Sequence, residues 1–323
     1  MRAVGIKQPG GIDALEVFDL PVPAPKAGEV VVKVEAAGVN FIDTYYRSGV
    51  YKAPQLPLVL GSEGAGIIES VGSDVDGFAK GDRVAWAMVL GSYAEYAAVP
   101  ATRLVKVPAG VSSRDAAAVL LQGMTAHYLS ESTFPLKPGH VALVHAGAGG
   151  VGLLLTQMAK AKGATVITTV STDAKAKLSK EAGADHTIDY TRDDFAAEVR
   201  KLTGGKGADV VYDSVGKTTF EKSLDSLRPR GYLVVFGGSS GPVPPFDLQV
   251  LNAKGSLFLT RPSLAHYTLT PEELSWRSDD VFTAVREGRL KVRAERDYPL
   301  TDAARAHADL EGRKTTGKLL LIP

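Results

Sequence analysis

Three glycines, Gly147, Gly149 and Gly152, carry the clearest chemical signal in this chain. They close an apolar run, Val141-Ala-Leu-Val-His-Ala, and open a segment in which Leu155, Met158 and Ala159 recur at helical spacing. A strand, a glycine turn and a helix in that order form a receptor for a dinucleotide. Gly147 lets the chain reverse, Gly149 lets the backbone approach a pyrophosphate, and Gly152 lets the helix pack close to the strand. The phosphates then lie over N–H groups at the positive end of the helix. The expected contacts at this turn are Gly147, Ala148, Gly149, Gly150, Val151 and Gly152.

The next apolar run, Thr165-Val-Ile-Thr-Thr-Val, ends in Ser171-Thr172, with Lys175 one helical turn further on. A site for a free ribose 2′-hydroxyl usually places Asp or Glu there, whereas hydroxyls and a cation suit a 2′-phosphate through charge-assisted hydrogen bonds. The residues here therefore suit NADPH better than NADH. Asp173 opposes that reading, because a carboxylate facing the phosphate repels it. Spacing alone leaves Lys175 equally readable as an exposed helix lysine, and Tyr190 as either a cover for the adenosine or a half-buried aromatic.

Other chemistries are excluded by composition. Cysteine is absent from the 323 residues, which removes disulfides, thiolate nucleophiles and thiolate metal sites. The six histidines show no ligand-like spacing, so no metal site is expected. A net charge of +1 leaves no electrostatic footprint for nucleic acid or an anionic membrane.

The elements that must position these residues divide the chain. From 123 to 261, strand and helix patterns alternate: strands near 140–146, 164–170, 185–188, 209–214, 231–236 and 255–260, with helices near 150–162, 173–182, 193–203 and 217–228. Such alternation predicts a parallel sheet wound on both faces. Residues 1–122 read instead as short strands between Pro and Gly turns, the texture of a β-rich, partly barrel-like domain. After 262 come helices near 279–287 and 301–311 and a terminal strand, Lys318-Leu-Leu-Leu-Ile. The predicted fold is thus α/β, a doubly wound nucleotide domain (123–261) inserted into a β-rich catalytic domain (1–122 plus 262–323), with ligands at the carboxyl ends of the parallel strands. No apolar stretch is long enough to span a bilayer and the first residues lack a signal-peptide core, so a cytoplasmic protein is expected.

Several blocks, in order, make the chain similar to a known group: Ala37-Gly-Val-Asn-Phe-Ile-Asp-Thr-Tyr-Tyr-Arg-Ser-Gly, Leu60-Gly-Ser-Glu-Gly-Ala-Gly, Gly81-Asp-Arg-Val, Ala146-Gly-Ala-Gly-Gly-Val-Gly, Val211-Tyr-Asp-Ser-Val-Gly and Gly255-Ser-Leu-Phe-Leu-Thr-Arg-Pro-Ser-Leu. It resembles the zinc-free quinone oxidoreductases of the medium-chain dehydrogenase/reductase superfamily, with a Rossmann domain set in a GroES-like one. Zinc-dependent members carry a Cys in the first block and a His between Gly61 and Glu63. This chain has no Cys and has Ser62 at the second position, so zinc-bound alkoxide chemistry lacks its ligands.

The resemblance implies that Ser171, Thr172, Lys175 and Tyr190 take the 2′-phosphate of NADPH. It places Ser214 and the Phe236-Gly237-Gly238-Ser239 turn beside the nicotinamide ribose, and Thr125, Phe258, Leu259, Thr260 and Lys318 near the nicotinamide side. Asn40, Tyr45 and Tyr51 are then the expected acceptor-side residues. With no metal and no thiol, the cofactor carries the chemistry, and a quinone or another electron-poor carbonyl is the expected acceptor. Reduction of enones or alkenals on the same scaffold is one alternative. A non-catalytic NADPH- and RNA-binding protein is another. Gly255-Ser-Leu-Phe-Leu-Thr-Arg reads as an apolar strand at the end of the nucleotide sheet, whose uncovered edge predicts a homodimer.

Overall fold

A computed structural model describes residues 1–323. The chain divides into two compact units, Met1–Met124 with Tyr267–Pro323, and Thr125–His266.

The first unit opens with β1 (Arg2–Ile6), β2 (Glu16–Asp19) and the long β3 (Glu29–Val39), then α1 (Phe41–Ser48), β4 (Leu58–Val59), β5 (Glu63–Val71), β6 (Arg83–Ala87), β7 (Tyr96–Pro100), β8 (Leu104–Lys106) and α2 (Ser113–Tyr128). β3 runs antiparallel to β5 through most of its length, while its first half also pairs with β7 and its last residues pair with the C-terminal strand. A strand with three neighbours cannot stay in one flat sheet. The resulting curl encloses Val32, Ile68, Val84, Trp86 and Leu104, all buried. A three-stranded sheet, β2-β1-β4, completes the β-rich part.

The second unit contains β9 (Val141–Val144), α3 (Gly150–Ala161), β10 (Thr165–Val170), α4 (Asp173–Glu181), β11 (His186–Asp189), α5 (Phe195–Leu202), β12 (Ala208–Asp213), α6 (Phe220–Asp225), β13 (Leu227–Val235), α7 (Gln249–Ala253) and β14 (Phe258–Thr260). All six strands are parallel, in the order β11-β10-β9-β12-β13-β14. Helices cover both faces of such a sheet, so β9 and β10 are continuous apolar or β-branched runs. The strand order reverses between β9 and β12, which is where a doubly wound sheet opens its ligand crevice. The chain returns to the first unit through α8 (Pro271–Arg286), β15 (Ala294–Pro299), α9 (Ala303–Glu311) and β16 (Lys318–Ile322), the last pairing with both β15 and β3. No helix is long and apolar enough to cross a membrane.

The α/β class and the doubly wound sheet agree with the sequence reading. Several boundaries differ: α8 spans Pro271–Arg286 where the sequence predicts a helix near 279–287, and β13 begins at Leu227 and not near 231. The helix expected over 217–228 shrinks to Phe220–Asp225, because the Asp213 carboxylate folds the preceding residues into a turn and the chain is already extended from Leu227. The strand expected over 255–260 begins only at Phe258, after α7 and a turn at Lys254–Ser256.

Candidate active site

The glycine turn joins β9 to α3. Its left-handed residue is Ala146 (φ 53°), not Gly147, so Gly147 is required for space rather than for reversal. A Cβ on Gly147 would lie 2.5 Å from Thr168 Cβ, and one on Gly152 would lie 2.3 Å from the Ala146 carbonyl oxygen. The first would push the turn away from β10 and from Ser179 of the helix that follows it, and the second would force α3 off the turn. Gly149 is the N-cap residue, and the first-turn N–H groups at Gly150, Val151 and Gly152 are those a helix leaves without internal carbonyl partners. This cradle fits a dinucleotide pyrophosphate.

At the end of β10, Thr172 caps α4 by accepting from the Lys175 backbone N–H, and Lys175 Nζ donates to Ser171 Oγ at 3.3 Å. Tyr190 is held beside them, because its N–H donates to the Val170 carbonyl (3.1 Å). The carboxylate that opposed a phosphate here, Asp173, is engaged by Arg192 at 3.2 Å. Ser171, Thr172, Lys175 and Tyr190 are thus brought together in an arrangement that fits a 2′-phosphate.

Asp213, at the end of β12, is fully buried and accepts from Val215 N, Gly216 N, Thr219 Oγ1 and Ser223 Oγ at 2.7–2.9 Å. Ser223 spends its one hydrogen on Asp213, so His145 Nε2 is the donor in the 3.0 Å contact between them, and His145 Nδ1 accepts from Thr169 Oγ1. Burial pushes the His145 pKa down and keeps the ring neutral. This network shapes the turn carrying Ser214, whose carbonyl accepts from Ser239 N (3.1 Å), so Ser214 and the Phe236–Ser239 turn meet. Phe258 is a different matter. It pairs with Tyr232, its half-exposed ring stacks on that tyrosine at 4.4 Å, and the carboxyl end of β14 is reached only at Thr260. Leu259 and Thr260 remain near that end; Phe258 is a residue of the sheet edge.

In the first unit, α1 starts at Asn40. Asn40 is buried and its amide is fully committed: Nδ2 donates to Glu63 Oε2 (2.9 Å) and Gly38 O (3.3 Å), while Oδ1 accepts from Lys318 Nζ (2.7 Å). Lys318 Nζ also donates to Glu63 Oε2 at 2.5 Å, and Glu63 Oε1 accepts from Leu121 N at 2.7 Å. Gly38 makes this closure possible, since a Cβ there would sit 2.3 Å from Glu63 Oε2 and 2.7 Å from Lys318 Cε. Two expectations change. With both amide hydrogens used inside the fold, Asn40 does not orient an acceptor carbonyl by donating to it; it anchors the start of α1. Lys318 is 1% exposed and its ammonium is directed to Glu63 and Asn40, so its role is to neutralise a buried carboxylate rather than to grip a cofactor.

Behind α1 lies a second buried network. Asp43 accepts from Asn40 N (2.9 Å), Ser62 Oγ (2.7 Å) and Tyr93 Oη (3.1 Å). Arg47 donates bidentately to Glu311 and also to His307 Nδ1, which leaves His307 Nε2–H to donate to Tyr93 Oη. Burial, reinforced by Arg47, pushes the His307 pKa down to about 3. Burial outweighs the donors around Asp43 and raises its pKa to about 6. The opposite side of α1 presents Tyr45, whose ring centroid lies 5.2 Å from Tyr51, while Tyr46 packs toward the β core. Glu63, Asp43 and Arg192 carried no role in the sequence reading. The Asn40-x-x-Asp43 spacing of a capping box was the one available signal among them.

No group of three or more His, Cys, Asp or Glu side chains is placed to hold a metal ion. Ser62 donates to Asp43 and Glu63 is neutralised by Lys318, so the donor set does not fit zinc.

A curled β-rich unit with a doubly wound nucleotide unit inserted in it, and a phosphate-binding turn after the first parallel strand, define a medium-chain dehydrogenase/reductase. Family models described as alcohol dehydrogenase GroES-like domain and zinc-binding dehydrogenase match residues 26–109 and 150–273. The chain is 49% identical to a quinone oxidoreductase of Pseudomonas aeruginosa over 97% of each chain. It is 43% identical to a 2-haloacrylate reductase of a Burkholderia species, covering 100% of this chain and 99% of the relative. It superposes on the Escherichia coli quinone oxidoreductase solved with NADPH at a TM-score of 0.98, with 45% identity and 100% coverage of both chains. The chain belongs to the quinone oxidoreductase family of that superfamily.

Proposed function

We propose that the protein is a cytoplasmic, homodimeric NADPH:quinone oxidoreductase that works without zinc. Bound NADPH supplies a hydride, which with one proton carries a quinone to its hydroquinone. The residues of the chain bind and orient. The N–H groups of Gly150, Val151 and Gly152 take the pyrophosphate, and Ser171, Thr172, Lys175 and Tyr190 take the 2′-phosphate. The turns at Ser214 and Phe236–Ser239, with Thr125, Leu259 and Thr260, line the nicotinamide half. Tyr45 and Tyr51 offer rings on which a flat acceptor stacks, and hydroxyls that donate to its oxygen as negative charge develops there. Catalysis in this reading is chiefly proximity.

The observation that carries the cofactor assignment is the end of β10, where a hydroxyl and an ammonium lie 3.3 Å apart and the nearby Asp173 carboxylate is bound to Arg192. The acceptor class is supported by the quinone oxidoreductase relatives. The test is oxidation of NADPH and NADH with 1,4-benzoquinone, 9,10-phenanthrenequinone and an enone, by the wild type and Lys175→Ala. Quinone turnover preferring NADPH is expected. Loss of the ammonium raises the KM for NADPH about 10- to 100-fold, the worth of a charge-assisted phosphate contact, and leaves NADH unchanged. Tight NADPH binding with no turnover of any acceptor refutes the enzymatic reading. The 2-haloacrylate reductase relative favours a second reading, reduction of an electron-poor alkene conjugated to a carbonyl group; turnover of the enone alone would establish it.

The dimer rests on β14, which pairs only with β13 and leaves its outer edge without a partner strand, with Phe258 half exposed there. Pairing with a second copy about a two-fold axis covers that edge. Light scattering at micromolar concentration is expected to give twice the chain mass, and Thr260→Pro, which removes a ladder N–H, is expected to shift it toward the monomer.

A further inference from the structure

Two carboxylates flank the group formed by Ser171, Lys175 and Tyr190. Asp173 is the first residue of α4, two residues beyond Ser171. Asp189 pairs in register with Val170, the residue before Ser171, and immediately precedes Tyr190. A phosphate held here would face one ammonium and two carboxylates. Arg192 changes that balance: its Nε lies 2.9 Å from Asp189 Oδ2, and the same guanidinium reaches Asp173 Oδ1 at 3.2 Å. The other oxygen of Asp189 is occupied by Thr191 N and Oγ1 at 3.0 and 2.7 Å. Arg192 is thus a bridge between the two acids, and its five donors in a fixed fork suit it to hold both at once.

We infer that Arg192 is a specificity-determining residue for NADPH over NADH, acting by neutralising Asp173 and Asp189 rather than by gripping the phosphate. The inference rests on the NADPH reading above. With Arg192 in place, the two carboxylates are balanced by Arg192 and Lys175 together; without it, the two acids outnumber the ammonium and repel a dianion. NADH carries no charge at this position and is indifferent to the change. Lysine cannot substitute, because a point ammonium does not span two carboxylates as the guanidinium does.

The test needs no turnover. Affinities of the full-length protein for 2′,5′-ADP and for 5′-AMP are measured by calorimetry for the wild type, Arg192→Gln, Arg192→Gln/Asp173→Asn and Lys175→Ala, and the KM for NADPH and NADH is measured alongside. For charges separated by several ångströms near a protein surface, Arg192→Gln is expected to weaken 2′,5′-ADP about five- to tenfold and leave 5′-AMP within about twofold. The loss is expected to shrink as salt is raised. Adding Asp173→Asn is expected to restore 2′,5′-ADP binding to within about twofold of wild type, a rescue that damage to the loop would not show. Equal weakening of both nucleotides, or no rescue by the second change, overturns the inference. Lys175→Ala separates the two levels. If it leaves the 2′,5′-ADP preference intact, the site assignment itself fails; if it removes the preference while Arg192→Gln does not, only the role of Arg192 fails.

Discussion

Replacing Lys318 by Met lowers the stability of the β-rich unit by about 3–5 kcal/mol, the cost of leaving a buried carboxylate without its charge partner. Glu63 is 0% exposed and would keep only neutral donors, Asn40 Nδ2 and Leu121 N. Methionine has nearly the volume of lysine, so packing changes little. Pairing Lys318→Met with Glu63→Gln removes both charges; the glutamine oxygen accepts from Leu121 N, and its NH2, in the place of Oε2, donates to Asn40 Oδ1 once the Asn40 amide turns over to present that oxygen. The double variant is therefore expected to recover most of the loss, to within about 1–2 kcal/mol of wild type, as buried pairs replaced together do. Both tryptophans, Trp86 and Trp276, lie in this unit, so urea unfolding followed by tryptophan fluorescence reads it directly. A single variant as stable as wild type, or a double variant no better than the single, would refute a charge-clamp role for Lys318.

The second large effect depends on pH. Asp43 has its pKa raised from 3.8 to about 6 by burial. The folded protein therefore binds this proton more tightly than the unfolded chain. The stability linked to it is fully present below pH 3.8 and is lost as pH rises toward 6, after which the deficit is constant. The full difference is about 3 kcal/mol. Asp43→Asn removes the titration: its amide oxygen can accept from Asn40 N and Tyr93 Oη while its NH2 faces Ser62, whose hydroxyl turns to accept. The stability difference between wild type and Asp43→Asn, measured by urea unfolding from pH 4 to pH 7.5, is expected to move against the wild type across that interval. A difference independent of pH would show that Asp43 is charged throughout. Because Asp43 holds the first turn of α1, the same titration is expected to alter acceptor KM more than nucleotide affinity.

Much of the nucleotide unit was legible from the residues because its determinants are local. Gly147, Gly149 and Gly152 follow an apolar strand directly, and Ser171 and Lys175 follow the next one by position alone. The acceptor side was harder to read. Tyr45 and Tyr51 are six residues apart and come together through the helix α1 and the turn after it, but Asn40 could be seen only as an amide at the end of a strand. Its partners, Glu63 and Lys318, lie 23 and 278 residues away. The position of Phe258 is likewise set by tertiary pairing: the β13–β14 register puts it level with Tyr232, two residues before the strand's carboxyl end.

By itself the amino-acid sequence determined the α/β class, the glycine turn after β9, the hydroxyl and ammonium side by side at the end of β10 and the absence of thiolate ligands, all of which follow from backbone geometry and side-chain type within a few residues. The tertiary structure alone decided which buried polar groups satisfy one another. It directed Lys318 to Glu63, committed the Asn40 amide, set Tyr93 between Asp43 and His307, and placed Arg192 between two carboxylates. The physical reason is that a buried polar atom must find a partner wherever the fold brings one within about 3 Å, and sequence distance carries no record of that choice.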